Sequence, residues 1–326
     1  MEKDKSDSAL LADIGGTNAR FAILTGDRLG AVDHVQVADY PQFSDAMAAF
    51  LSRQSTGKPV RRAFLAVAGT VEKDRCVLTN NPWIVDGPEL RARFAFADLA
   101  ILNDFEAVAW SLLNLDKNDL LKLGGNEPKP AAPMLVLGPG TGLGAAVYVP
   151  RKHDGLVITT EAGHSTMPGG SAREDAIIET LRQRFGHVSA ERVLSGPGIE
   201  NLYQAIVLID SLDAPKRSAA EITQAGLAGH CIACRSAIDM FCGMLGEVAG
   251  NLALATGAQG GVFIGGGIAP HFRDYLQQSK FRTRFDAKGR MTSYVSIIPV
   301  YLILRDDPAF VGLRFLATKS AAISLK

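Results

Sequence analysis

A chain of 326 residues has room for two domains of ordinary size, each burying a core of its own. Apolar residues make up 47% of it and charged ones 21%, with 34 basic side chains against 34 acidic ones. No cationic excess exists to neutralise phosphates, so nucleic acid and acidic membrane are excluded as its main partners and a soluble globular protein is expected.

The first residues, Met1 to Ser8, are charged and lack the apolar stretch of a signal peptide. No uninterrupted apolar segment long enough for a bilayer follows, so a cytoplasmic protein is expected. An apolar run from Leu10 reaches Asp13, breaks at Gly15-Gly16 and resumes as an alternating pattern over Ala19 to Ile23, which reads as strand, tight turn, strand. Adjacent glycines allow positive φ and let an anion approach the amides, while Thr17 and Asn18 add side-chain donors. Asp13 would repel phosphate unless a divalent cation stood between them, and Mg²⁺ accepts such ligands. The stretch fits a metal-nucleotide site; it also fits an ordinary hairpin with a solvated Asp13.

Gly30 to Ala38 alternates as a third strand, Phe43 to Arg53 has helical spacing, and Ala63 to Ala68 is a buried parallel strand ended by Gly69. Val77 to Trp83 is a short strand entering a polar loop. Asn80 and Asn81 beside Trp83 can line a sugar pocket, and an Asn-Pro turn over a core tryptophan reads equally well. Leu99 to Leu102 is another buried strand, delivering Asn103 and Asp104 to its carboxyl end before a helix from about Phe105 to Leu115. Ligands of α/β proteins gather at such strand ends. Either residue alone reads as a helix cap. Beside phosphate-binding turns, Asp104 is the best candidate general base, because kinases of alcohols place an Asp on the acceptor hydroxyl.

Gly124 to Pro133, rich in Gly and Pro, is a loop, and a domain hinge is expected near it. Met134 to Val149 then repeats the first construction: a strand ends at Gly138, Gly140 to Gly144 form the turn with Thr141 offering a hydroxyl, and Ala145 to Val149 return. The two hairpins read as equivalents in duplicated halves. Neither has the ending of a Walker loop nor the following helix of a Rossmann fingerprint. Leu156 to Thr160 is a strand leading to Glu161 and His164, which can grip neighbouring hydroxyls or, with a third ligand that the sequence does not nominate, a metal.

Arg173 to Phe185 is an amphipathic helix. Ser189 caps a short segment carrying Glu191, which alone reads as a solvated charge, and Pro197 ends it before a helix from about Ile199. Cys231-Ile-Ala-Cys234 has the form of half a zinc site or a redox pair. Without a second CxxC or a His pair, the four cysteines, Cys76, Cys231, Cys234 and Cys242, read as buried or partly buried thiols. Cys231 to Thr256 is the longest helical pattern, with a thin face at Gly243, Gly246 and Gly250, and is expected between the domains. Gly260 to Pro270 is a strand entering a triple-glycine turn against which adenine can lie. Tyr294 to Leu304 reads as a final strand pair, and a helix from about Ala309 to Thr318 returns to the first domain.

Asp13-Ile-Gly-Gly-Thr-Asn-Ala-Arg20, Thr79-Asn-Asn-Pro-Trp83, Leu102-Asn-Asp-Phe105, Gly138-Pro-Gly-Thr-Gly-Leu-Gly144, Glu161-Ala-Gly-His164, Ser189 to Gly198 and Gly265-Gly-Gly267 together resemble the bacterial ATP-dependent glucokinase family over nearly the whole chain, in the family's order. The resemblance implies an α/β fold of two actin- and hexokinase-like (ribonuclease H-like) domains with an interdomain cleft. The smaller would comprise residues 1–113 plus 305–326 and the larger residues 114–304. It implies phosphorylation of the glucose 6-hydroxyl by ATP with Mg²⁺, feeding glycolysis, in a homodimer. Asp104 would be the base, with Asn103, Asp104, the backbone of Gly142, Glu161, His164 and Glu191 on glucose. ATP would meet Asp13, Gly15, Gly16, Thr17, Asn18, Gly140 and Thr141, with Gly265, Gly266 and Gly267 beside the adenosine and Asp13 facing Mg²⁺ through water. Three departures stand out: Ala12 and Ala162 replace glycines of some relatives, Ala162 being expected to restrict the turn that aims Glu161, and Val67-Ala-Gly69 lacks a common proline. Rival readings are a kinase of another hexose (mannose, fructose or N-acetylmannosamine), a chaperone-like or filament-type ATPase, and a silent sugar sensor.

Overall fold

The computed structural model describes residues 8–54, 59–78, 81–152 and 155–323. The chain packs as two compact units, Met1–Leu115 with Arg305–Lys326, and Asp116–Leu304.

The first unit is built on strands β1 (Ser8–Ile14), β2 (Asn18–Thr25), β3 (Arg28–Leu29), β4 (Asp33–Gln36), β5 (Arg62–Val67), β6 (Arg75–Val77), β7 (Ile84–Asp86) and β8 (Asp98–Asn103). Its main sheet runs β3-β2-β1-β5-β8, with β4 also paired to β2. β1 and β2 are the expected antiparallel hairpin, whereas β1, β5 and β8 are parallel neighbours. Ala9 to Ala12 and Ala63 to Val67 are buried without alternation, as strands covered on both faces require. On one face lie helix α1 (Phe43–Ser52) and an aromatic cluster in which the rings of Phe21 and Phe50 stand 5.3 Å apart and those of Phe43 and Trp83 5.8 Å. Helix α2 (Gly87–Phe94) follows β7, and α3 (Asp104–Ser111) follows β8. The C-terminal helix Pro308–Ile323 packs on α3, β1 and β5, so the last segment does return to the first unit. Gly312 makes that contact possible, since a Cβ there would lie 1.8 Å from the Ala107 carbonyl oxygen.

Trp83 is 1% exposed and its indole N–H donates to the Tyr40 carbonyl at 2.9 Å, which makes it a core residue and removes it as a sugar platform. Asn80 lies outside the described residues.

The second unit has strands β9 (Leu120–Gly124), β10 (Met134–Pro139), β11 (Leu143–Val149), β12 (Leu156–Thr160), β13 (Gly261–Ile264) and β14 (Val300–Ile303), ordered β12-β11-β10-β13-β14-β9. Again an antiparallel hairpin, β10 with β11, adjoins parallel strands, β10 with β13 and β13 with β14. The helices are α4 (Ala172–Phe185), α5 (Gly196–Ile209), α6 (Ala219–Leu227), α7 (Ile232–Thr256), α8 (Arg273–Gln278), α9 (Phe281–Asp286) and α10 (Thr292–Ser296).

Several expectations are corrected here. Pro197 opens α5 instead of separating two elements, because the first helical turn has no use for its missing N–H. Residues 292–296 are helical, not strand, and bury Val295. Gly124 closes strand β9, which pairs with β14 and was invisible as a short, half-buried run. The glycine face of α7, by contrast, does admit a neighbouring helix as expected: Cβ atoms at 246 and 250 would stand 2.1 and 2.6 Å from the carbonyl oxygens of Phe281 and Phe285 on α9. α7 is also long and apolar enough to cross a membrane by length and composition, with 67% of that window buried inside the unit, as in the core helix of a globular domain.

Four charged side chains, Glu174 buried and Arg284, Glu247 and Lys288 largely shielded from solvent, meet around α4, α7 and α9. Arg284 donates to both carboxylate oxygens of Glu174 at 2.6 and 2.9 Å and reaches Glu247 at 3.1 Å, while Lys288 donates to Glu247 at 2.7 Å.

Candidate active site

In the first unit, the β1–β2 turn is closed by the Gly15 amide donating to the Asn18 carbonyl at 2.9 Å. Gly15 does not take positive φ; its value lies in the close approach to Asn18, whose oxygen a Cβ at 15 would meet at 3.3 Å. Thr17 and Asn18 are exposed at the tip. The Asn81 side-chain amide donates to the carbonyls of Gly15 and Gly16 at 3.1 and 3.3 Å, and its oxygen accepts from the Trp83 amide at 2.8 Å. Asn81 therefore braces the turn and occupies the two carbonyl oxygens that would repel an anion. Its spacing of 66 residues from Gly15 left no local signal of this brace.

Asp13 lies opposite Arg20 across the hairpin, with 3.4 Å between carboxylate and guanidinium, and Arg20 also holds Asp307. Burial pushes Asp13 up to about 6; Arg20 draws it down and Asp307 pushes it up further. Register places Ile14 beside Val67 and Val67 beside Asn103, so Asp13 and Asp104 emerge at the carboxyl ends of parallel strands of one sheet. Two strand spacings separate β1 from β8, about 10 Å. Asn103 is the N-cap of α3: its side-chain oxygen accepts from the amides of Phe105 and Glu106 at 2.9 and 3.3 Å, and its NH₂ donates to the Gly69 carbonyl at 3.1 Å. Asp104, the first residue of the helix, accepts from the Phe105 amide at 2.9 Å.

In the second unit, the Gly140 amide donates to the Gly142 carbonyl at 2.8 Å and the Gly196 amide to the Gly140 carbonyl at 2.9 Å, so α5 begins against the turn. The triple-glycine turn after β13 packs on the hairpin stem, where a Cβ at Gly138 would stand 2.5 Å from the Gly265 carbonyl carbon. Gly266 has φ +78°, and a Cβ there would lie 2.3 Å from the Pro139 oxygen. Gly138-Pro139 and Gly265-Gly266 are thus packed directly on one another.

Glu191 is not a solvated charge. Its carboxylate accepts from the Leu143 amide at 2.9 Å, and a Cβ at Gly142 would come 2.4 Å from the same oxygen. The short segment carrying Glu191 is tied to the next turn by the Ala190 amide donating to Ser165 at 2.8 Å. Glu161 and His164 lie beside it, 3.8 Å apart, with side chains 63% and 61% exposed. Gly142, Glu161, His164 and Glu191 are therefore brought together. Ala162 is not among the residues with positive φ, so the alanine imposes no strain on the turn.

Among the described residues no three His, Cys, Asp or Glu side chains are grouped to hold a metal. Neither Glu161–His164 nor the CxxC has a third ligand among them. Mg²⁺ is usually bound by one or two carboxylates and otherwise by substrate phosphates and water, a donor set to which Asp13 can contribute.

On the sugar-binding role that the family resemblance implies for Glu191, Gly142→Ala is expected to raise the KM for glucose about tenfold, the worth of a hydrogen bond to a charged group, while shifting stability by about 1 kcal/mol, since the methyl pushes the far end of the Glu191 side chain off the Leu143 amide. Steady-state kinetics beside a thermal melt checks it; an unchanged KM would detach Glu191 from the sugar.

The fold is that of the sugar kinases. A glucokinase from Balamuthia mandrillaris in complex with glucose superimposes with TM-score 0.77 at 21% identity, covering 96% of this chain and 94% of that one. A family model described as Glucokinase matches residues 10–320. The glucokinase of Paramagnetospirillum magneticum is 44% identical over 316 residues, 96% of this chain and 98% of its own. The crystal structure of glucokinase from an Antarctic psychrotroph has TM-score 0.84 at 35% identity, with 98% and 99% of the two chains covered. The chain belongs to the glucokinase family.

Proposed function

We propose that this chain is a glucokinase that transfers the γ-phosphoryl group of ATP to the 6-hydroxyl of glucose, giving glucose 6-phosphate and ADP. The observation that carries this reading is the family match over residues 10–320 on a chain that sets Asp104 at the end of β8 and the start of α3. In this reading Asp104 takes the hydroxyl proton. Asn103, the Gly142 backbone, Glu161, His164 and Glu191 position the sugar. The turns at Gly15 to Asn18 and Gly140-Thr141 supply donors to the phosphates, and Gly265 to Gly267 lie beside the adenosine. Asp13 would hold Mg²⁺ through water, and the ion would neutralise phosphate charge when bound. Asn103 keeps its oxygen for the helix cap, so the sugar sees a residue already fixed in place. The product feeds glycolysis, and the enzyme works as a cytoplasmic homodimer.

Consumption of ATP with and without sugar tests the reading. A kinase needs glucose; steady hydrolysis in its absence would favour the chaperone-like ATPase. Comparison of kcat/KM for glucose, mannose, fructose and N-acetylmannosamine distinguishes the acceptors.

Asp13 gives a pH signature. Its folded value of about 6 exceeds the ordinary 3.8, so its proton stabilises the fold at acid pH, and that contribution is lost as pH rises from about 4 through about 6. Mg-ATP needs the deprotonated form. Expected, therefore, is a fall of kcat/KM for Mg-ATP below about pH 6 that is steeper in the parent than in Asp13→Asn. ATP itself titrates equally in both proteins, so parallel profiles would sever Asp13 from the metal.

A further inference from the structure

Cys231 and Cys234 lie outside the residues assigned to glucose and ATP. Cys231 is the N-cap of the 25-residue helix α7, with extended backbone (φ −143°, ψ 114°), and its sulfur accepts from the Cys234 amide at 3.3 Å. This contact folds the Cys231 side chain over the first turn, toward the residue three positions on. Cys231 is partly exposed, next to Ile232, which is 85% exposed, whereas Cys234 is fully buried. The pair has one reachable sulfur and one shielded sulfur. Among the described residues no third side chain completes a metal site here.

The protonation chemistry is equally unequal. Burial alone would raise the Cys231 thiol, but the Cys234 thiol, the amides of Cys234 and Ala233 and the charge of Arg217 outweigh it and bring it below the ordinary thiol range. Burial, then the Cys231 sulfur, pushes Cys234 up to about 12. A thiolate at a helix N-terminus beside a cation attacks disulfides, and a buried neighbour completes the exchange.

We propose that Cys231 and Cys234 form a redox-active dithiol, Cys231 attacking a low-molecular-weight disulfide and Cys234 resolving the product to an internal Cys231–Cys234 bond. In the first step the Cys231 thiolate attacks one sulfur of R–S–S–R, forming a mixed disulfide and releasing RS⁻. In the second, Cys234 gives its proton to solvent, attacks the Cys231 sulfur and expels the second RS⁻. The two cysteines lose two electrons and the small disulfide gains them. Cys76 and Cys242 are buried, with Cys242 pushed up to about 12 by burial, and stand apart from this exchange.

The test uses an aromatic disulfide that releases a coloured thiolate, on the full-length native chain. Wild type should release two thiolates per chain and keep no adduct. Cys234→Ser should release one and retain the adduct on Cys231, and Cys231→Ser should lose the fast release. A wild type that keeps its adduct, or a Cys231→Ser variant as fast as wild type, overturns the proposal. Peptide mapping of the oxidised wild type needs no variant: after denaturation and alkylation, a linked Cys231–Cys234 peptide with alkylated Cys76 and Cys242 supports the pair, and any other pattern overturns it.

Discussion

Asp104→Asn is expected to lower kcat by about 10²- to 10⁴-fold, the usual worth of a general base, and to leave glucose binding within a few-fold of the parent. The hydrogen bonds that start α3 survive the substitution. Asn103 caps α3 through two amides, and the oxygen with which Asp104 accepts from Phe105 is present in asparagine too. What disappears is the ability to hold a proton taken from the sugar hydroxyl. Parallel measurement of kcat, glucose affinity by calorimetry and melting temperature separates the outcomes. A loss of kcat with affinity and melting preserved assigns chemistry to Asp104; a near-normal kcat removes it from the role. A loss of affinity and melting together would instead make it a support of the helix start.

The hairpins were legible because a glycine pair interrupts an apolar run, β5 because a strand covered on both faces needs unbroken apolar residues, and β8 because its short apolar run is bounded by polar residues at both ends. Asp104 was legible for the same reason, as the first polar residues after such a run stand at a strand's carboxyl end. What local pattern alone could not show depends on partners remote in sequence. Glu191 owes its placement to the Leu143 amide, 48 residues away, and Asn81 its role to the carbonyls of Gly15 and Gly16. β9 is a strand only because β14 offers it an edge. Residues 292–296 carry β-branched and aromatic side chains, yet burying Val295 against α7 and α9 decides for helix. The capping box Ser218 to Glu221, by contrast, was a local signal of α6 that could have been read.

Removal of Arg284 should produce the largest loss of stability, and it should be confined to the second unit. Arg284 is 17% exposed, Glu174 7%, Glu247 17% and Lys288 6%, so water cannot take over when one partner goes. In Arg284→Met, Glu174 keeps the Gly170 amide at 2.7 Å as a donor but loses its bidentate cation. A buried carboxylate stripped in this way costs about 3–5 kcal/mol, against about 0–1 for an exposed pair. Breaking the pair and replacing it are different experiments: Glu174→Met with Arg284→Met removes both charges and should recover most of the loss. The readout must be local, because both tryptophans, Trp83 and Trp110, sit in the first unit and their fluorescence follows that unit. Native-state amide exchange along α4, α7 and α9 is the appropriate measure. Faster exchange there, with the first unit's protection unchanged and the double variant restored, is the expected result; a change of under about 1 kcal/mol would place the network with ordinary surface ion pairs.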